Sequence, residues 1–146
     1  MAGGYSKRSL IEKLGIKSGF SVCILNPPTG YDIALGELPT GVQRFMKPKG
    51  ALDFIQFFTK ERSELERLFP VLKKALAETG MLWISWPKTA FEIATDVNEN
   101  SVREIGLKNR LVDVKVCAVD EVWSGLKFVV RLKERGSKGP ARKTRV

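Results

Sequence analysis

The run Met-Leu-Trp-Ile-Ser-Trp from Met81 to Trp86 carries no charge and stops abruptly at Pro87-Lys88. A strand with no wet face belongs inside a sheet that is covered on both sides. Phe20 to Leu25 (FSVCIL) has the same character and is halted by Asn26-Pro27-Pro28-Thr29-Gly30. Leu52 to Phe58 (LDFIQFF) is a third strand. A long helical pattern joins the third strand to Met81–Trp86, which is the strand–helix–strand signature of a parallel crossover.

That helix is expected to begin under a cap from Thr59 and to run to about Glu78. Its buried stripe is Leu65, Leu68, Phe69, Leu72, Ala75 and Leu76, at the i, i+3, i+4, i+7 spacing of one helix face. Pro70 falls inside the stripe and predicts a kink or a split, and Gly80 predicts the stop. Nearer the start, Ser9 and Glu12 have capping-box spacing, so a short helix is expected from about Ser6 to Leu14, ended by Gly15. A second short helix is expected over Tyr31 to Glu37, and a short edge strand over Val42 to Met46. A helix from about Glu99 to Lys108 takes Asp96 or Asn98 as its N-cap.

Leu111 to Val119 alternates, which turns Val112, Val114, Val116 and Ala118 to one face and Asp113 and Lys115 to the other. After the turn Asp-Glu-Val-Trp-Ser-Gly, Leu126, Phe128, Val130 and Leu132 are expected inward, with Lys127, Arg131 and Lys133 outward. Half-wet strands of this kind suit an antiparallel hairpin at a sheet edge. The architecture expected is a Rossmann-like three-layer α/β sheet, mostly parallel, with that C-terminal hairpin at one edge.

A chain of 146 residues, 43% of them apolar and 28% charged, is ordinary for one folded domain that needs neither disulfides nor metal. The domain is expected to span residues 1–133. Residues 134–146 carry Arg135, Lys138, Arg142, Lys143 and Arg145 against Glu134 alone, lack apolar periodicity, and read as a disordered basic tail. That tail supplies part of the net charge of +9. Cys23 and Cys117 both fall in strands and read as buried reduced thiols, which suits the cytoplasm. The first residues lack the apolar core of a secretory signal, and no apolar run is long enough for a membrane span. With no histidine in the chain, Ser–His–Asp, Cys–His and histidine-ligated metal chemistry are excluded.

From Asp53 onward the order of elements resembles the C-terminal half of a class I S-adenosylmethionine-dependent methyltransferase. The segments DFIQFF, ETGMLWISWPK and the two final strands carry that likeness. SLIEKLGIKSG, LWISWPK, TDVNENSVREIGL and LVDVKVCAVDEVWSGLK also resemble an uncharacterised bacterial family of similar length, a domain of unknown function, whose likeness implies no known activity. The methyltransferase likeness implies a glycine-rich loop after the first strand and a ribose-binding acid after the second. Here the first strand meets Pro27 and Pro28, which have no N–H and cannot join a nest of amide donors. Asp32 and Glu37 are poorly placed as the acid. S-adenosylmethionine is therefore disfavoured, and no cofactor is expected.

Ligands of open α/β sheets lie at the carboxyl ends of the parallel strands. Asn26 to Tyr31, Phe58–Thr59, Trp86 to Lys88 and Asp120 to Trp123 should gather there. The candidate ligand-binding residues are Asn26, Tyr31, Trp86, Lys88, Asp96, Asp120, Glu121, Trp123 and Ser124, with the two tryptophans as aromatic walls. The plainer reading is that the tryptophans pack, Lys88 pairs with Asp120 or Asp96, and the acids cap loops. No catalytic residue is assigned, because Asp120 and Glu121 as strand neighbours point to opposite faces and cannot form a dyad. The function expected is a non-catalytic binding or interaction module whose partner is a small molecule or a protein. The alternatives are a methyltransferase-like enzyme with a rearranged cofactor site, or a nucleic-acid-associated protein contacting phosphates through Arg142, Lys143 and Arg145.

Overall fold

The computed structural model describes residues 9–89 and 93–135. The part of the first helix expected before Ser9 and the tail residues Arg142, Lys143 and Arg145 lie outside the described residues. The elements run α1 (Leu10–Leu14), β1 (Ser21–Leu25), α2 (Tyr31–Leu35), β2 (Gln43–Phe45), β3 (Leu52–Phe58), α3 (Arg62–Lys74), β4 (Leu76–Pro87), α4 (Glu99–Lys108), β5 (Leu111–Ala118) and β6 (Trp123–Val130). They build a six-stranded sheet of order β2-β1-β3-β4-β6-β5. β1 is parallel to β2 and β3, and β3 to β4; β6 is antiparallel to both β4 and β5. This is the Rossmann-like, mostly parallel sheet with the antiparallel hairpin at one edge.

Two apolar clusters, one on each face, make the third layer necessary. On one face Ile11 and Leu14 of α1 and Tyr31 and Leu35 of α2 cover Val22, Ile24, Phe54, Phe58 and Trp83. On the other, Leu65, Phe69 and Leu72 of α3 and Val102 and Ile105 of α4 cover Ile55, Phe57, Leu82, Ile84, Leu126 and Phe128. The central strands β1, β3 and β4 are buried on both sides because they alternate between these clusters. No described helix is long and apolar enough to cross a membrane.

The capping signals near the helix ends are realised. Ser9 and Glu12 form the capping box, Gly15 takes φ 89° at the end of α1, and Asn98 rather than Asp96 caps α4. Helix α3 differs at both ends from the pattern. Glu61 stands at its N-cap without a side-chain bond, while the Thr59 hydroxyl accepts from the Glu61 N–H and donates to Glu64. The helix passes through Pro70 as one element and stops at Ala75, short of Glu78. It stops there because the Ala75 carbonyl accepts from the Leu52 N–H and Leu76 pairs with Leu52 as the first residue of β4. Sheet pairing thus overrides the helix preference of Ala-Glu. Gly80 is consequently not a helix stop: it lies in β4, where a Cβ would sit 2.6 Å from the Leu52 carbonyl oxygen.

The hairpin also departs from simple alternation. Asp113 pairs with Phe128, but Lys115 pairs with Lys127, so Val114 is an extra residue bulged out of β5. Val114 and Val116 are exposed rather than inward, at 52% and 46%, because β5 is the sheet edge and the bulge breaks its phase. Leu126 and Phe128 are buried as expected, whereas Leu132 is exposed because β6 ends at Val130 and a 3₁₀ turn follows. In that turn Glu134 pairs with Arg110 at 3.0 Å. Cys23 is buried and Cys117 half-buried, and both are free thiols.

Candidate functional site

The strand order reverses at β1: the chain leaves it toward β2 and returns on its other side as β3. The chain therefore leaves the paired carboxyl ends of β1 and β3 toward opposite faces, α2 on one and α3 on the other, which is where open α/β sheets form a crevice. A cleft of about 330 Å³ opens there, lined by Asn26 and Pro28 after β1, Phe58 to Glu61 after β3, Glu64 in the first turn of α3, and Trp123.

Each wall has a local cause. Asn26 takes φ 55°, a left-handed conformation that asparagine tolerates, and its Nδ2 donates to the Phe58 carbonyl at 3.3 Å. One side chain thus bridges the two strand ends where their connections part. Trp123 is aimed by the turn before it. The Asp120 carboxylate accepts from the N–H groups of Val122 and Trp123, both at 2.8 Å, and the Asp120 and Val119 N–H groups donate to the Trp123 carbonyl. The Trp123 ring then meets Phe58 edge-to-face at 5.1 Å, and Phe58 meets Tyr31 the same way at 4.7 Å. Such pairs fix ring orientation as well as adding stability.

Beneath this aromatic row runs a buried polar chain. Tyr31 Oη donates to Gln56 Oε1 at 2.6 Å, and Gln56 Nε2 donates to Ser85 Oγ at 3.1 Å. Gln56 and Ser85 are fully buried and Tyr31 nearly so. Burial, partly offset by the Gln56 bond, lifts the Tyr31 hydroxyl well above the usual tyrosine range. The chain ties α2, and with it the Pro27–Gly30 loop, to the centre of the sheet.

Of the residues picked out from sequence, Asn26 and Trp123 line the cleft, and Asp120 holds Trp123 without lining it. Tyr31 lies under the floor. Trp86 does not face Trp123: it pairs with Ser124 and belongs to the cluster under α3 and α4, whereas Trp123 packs on the opposite face. Neighbouring register positions of paired strands point to opposite sides of the sheet. Lys88 Nζ donates to the Asp120 backbone carbonyl at 2.8 Å, not to a carboxylate. Asp96 accepts from the Arg62 N–H at 2.7 Å, where a carboxylate complements the start of α3. Asp120 and Glu121 lie in the bend between β5 and β6 rather than in a strand, and Glu121 is exposed. Ser124 is half-buried in β6. The lining residues Lys60, Glu61 and Glu64 escaped notice because a Thr-Lys-Glu junction before a helix reads as ordinary solvated sequence.

The loop after β1 offers few free donors. Pro27 and Pro28 have no N–H, and the Tyr31 N–H is taken by the Pro28 carbonyl. β2 ends at Phe45 and continues into Met46-Lys47, so no carboxylate follows it; Asp32 is engaged by Arg44 at 3.0 Å. No group of described residues has the make-up of a metal site.

No protein-family model matches the chain, and no curated protein matches it. Solved structures do. The chain is similar to a SAM-dependent methyltransferase from Aquifex aeolicus, at 15% identity and TM-score 0.57 over 84% of this chain and 88% of that one. It is similar to a ribosomal protein L11 methylase from Lactobacillus delbrueckii subsp. bulgaricus, at 15% identity and TM-score 0.57 over 84% and 75%. A Methanococcus jannaschii fibrillarin pre-rRNA processing protein matches at 11% identity and TM-score 0.53 over 79% and 68%. At such identities the likeness shows the methyltransferase-like fold and nothing further.

Proposed function

We propose that the protein is a non-catalytic binding module that has kept the methyltransferase-like sheet and uses its switch-point cleft for a small ligand or a partner's side chain. The observation that carries this reading is the cleft itself, at the reversal of strand order, with an aromatic wall held in place by a dedicated carboxylate turn. Pockets of about 300 Å³ or more with an aromatic wall and a few polar groups are of ligand-binding size.

The residues present do not fit S-adenosylmethionine. The loop that should cradle the cofactor has two prolines in place of amide donors, Asn26 closes across the ends of β1 and β3, and the end of β2 offers no acid to the ribose hydroxyls. Glu64 accepts from the Thr59 hydroxyl in a contact that secures the start of α3.

The test is ligand mapping by amide NMR on the full chain. A fragment set is expected to shift the amides of Asn26, Thr59 to Glu64 and Val122 to Ser124 together, and S-adenosylmethionine at millimolar concentration to shift none of them. Binders that cluster elsewhere would refute the cleft. A saturating response to S-adenosylmethionine at micromolar concentration would refute the non-catalytic reading.

A further inference from the structure

A second surface of the molecule carries an arrangement that packing does not explain. Lys115 in β5 stands directly opposite Lys127 in β6, and like charges in that relation repel. Lys127 is itself opposite Trp83 in β4, so all three share the sheet face covered by α1. Lys17, just past α1, is near enough to act on the Lys127 charge. Lys115 Nζ comes within 3.5 Å of the Lys13 carbonyl of α1, which places that lysine beside the helix end.

The bulge creates this cluster. Before it, Asp113 points to the opposite face, where Arg103 of α4 holds its carboxylate at 2.9 Å. Without an extra residue at Val114, Val114 would stand opposite Lys127 and Lys115 would pair with Leu126, on the α4 side near its natural counter-charge. The bulge rotates Lys115 away from the acid and toward another lysine. Bulges re-aim side chains and are kept as features rather than faults. None of the ion pairs seen among the described residues includes Lys17, Lys115 or Lys127. Burial, with Lys115 and then Lys17 adding to it, pushes the Lys127 ammonium below its ordinary range.

A lysine on an edge strand also guards against pairing with another sheet, and Lys115 alone would fit that role. Lys127 does not, because β6 is an interior strand with a partner on each side. A half-buried cation with two others near it is stabilised when an anion reaches all three. Lysines rather than arginines, without a fork to grip one planar group, suit point contacts to successive phosphates. None of them lines the switch-point cleft.

We propose that Lys17, Lys115 and Lys127 form a platform for the phosphate backbone of a nucleic acid, on the α1 face of the C-terminal hairpin and separate from the switch-point cleft. Contact is through phosphates and carries no base sequence preference. Association is salt-dependent, since each neutralised phosphate releases counterions.

The experiment uses the full chain and a fluorescein-labelled duplex DNA of mixed sequence, with anisotropy followed from 50 to 200 mM salt. The triple variant Lys17→Gln, Lys115→Gln, Lys127→Gln is expected to bind at least about tenfold more weakly at the low-salt end, with a log–log salt slope shallower by about 2.7, three contacts at about 0.9 each. Its thermal midpoint is expected to hold or rise, because the repulsion is relieved; a matched wild-type circular dichroism spectrum shows that the fold is intact. Independently of any variant, acetylation of the wild-type protein with an N-hydroxysuccinimide ester is expected to modify all three lysines, and the duplex to protect them together. An unchanged affinity and slope in the variant would overturn the platform and leave the binding to the basic C-terminal residues. So would modification of the three lysines at the same rate with and without duplex. Protection by inorganic pyrophosphate with no binding of the duplex would also overturn it, in favour of a small-anion site.

Discussion

Replacing Gln56 by leucine tests whether the buried polar chain under the cleft is cooperative. Gln56 is fully buried and makes both links, accepting from Tyr31 at 2.6 Å and donating to Ser85 at 3.1 Å. Gln56→Leu keeps the side-chain volume but leaves the Tyr31 hydroxyl as a buried donor with nothing to meet. An orphaned buried group costs about 1–3 kcal/mol, and the Ser85 bond adds to that, so the expected loss is about 2–4 kcal/mol. Tyr31→Phe removes only the donor and orphans one lone-pair acceptor, with an expected loss of about 1–2 kcal/mol. In the double variant both ends of the stronger bond are gone and only the Ser85 hydroxyl is affected. Its loss should fall short of the sum of the single losses by about 1–3 kcal/mol. Urea unfolding followed by tryptophan fluorescence gives all three numbers, provided the slope against denaturant is constant across the set. Strictly additive losses, or a Gln56→Leu variant as stable as the wild type, would refute the chain as the tie between α2 and the sheet.

Two further outcomes follow from the same face-to-face packing. Gly106→Ala in α4 should destabilise by about 1–3 kcal/mol despite better helix propensity, because the new methyl would clash with the Phe128 ring and Phe128 is braced by Phe69 at 5.5 Å; chemical denaturation checks it, and a loss undiminished in a Phe128→Leu background would refute the cause. Tyr31, with its hydroxyl held above its ordinary value of 10.0 by burial, contributes stability that is complete below pH 10 and drains away as pH rises above it. Thermal midpoints measured from pH 8 to pH 11 should therefore fall more steeply for the wild type than for Tyr31→Phe, and parallel curves would contradict the assignment.

The sheet was legible because its signals are local and strong. Uncharged strands such as Met81–Trp86, the Ser9–Glu12 and Asn98 caps, and the stripe from Leu65 to Leu72 each speak for themselves. Several of the misjudged features depend on a partner strand. Nothing local in Ala75 to Gly80 tells that Leu52 will claim that stretch for β4, and nothing in Val112 to Val116 marks Val114 as the extra residue. The same limit applied to the site. The carboxyl edge follows from strand order, so Asn26, Phe58, Thr59 and Trp123 fell into one neighbourhood. Which face Trp86 takes is a matter of register against β6, and register is not written in either strand alone.

Strand order and register also separate what the methyltransferase-like sheet dictates from what its bordering residues add. The crevice at the ends of β1 and β3 is a consequence of topology and persists whatever residues border it. Function is then set by what crosses it. A glycine-rich loop leaves the crevice open and lined with amide donors. Asn-Pro-Pro removes the donors, and the Asn26 side chain takes up the Phe58 carbonyl that would otherwise need a partner. The cavity left over is bounded by α3 and by Trp123, whose position depends on Asp120 rather than on any residue of the loop. Asp120→Ala should consequently loosen Trp123 while leaving the Asn26 bridge intact, so amide NMR shifts are expected to change at Val122 to Ser124 and to hold at Asn26 and Thr59; changes of equal size on both sides would show that the two halves of the cleft are not independent.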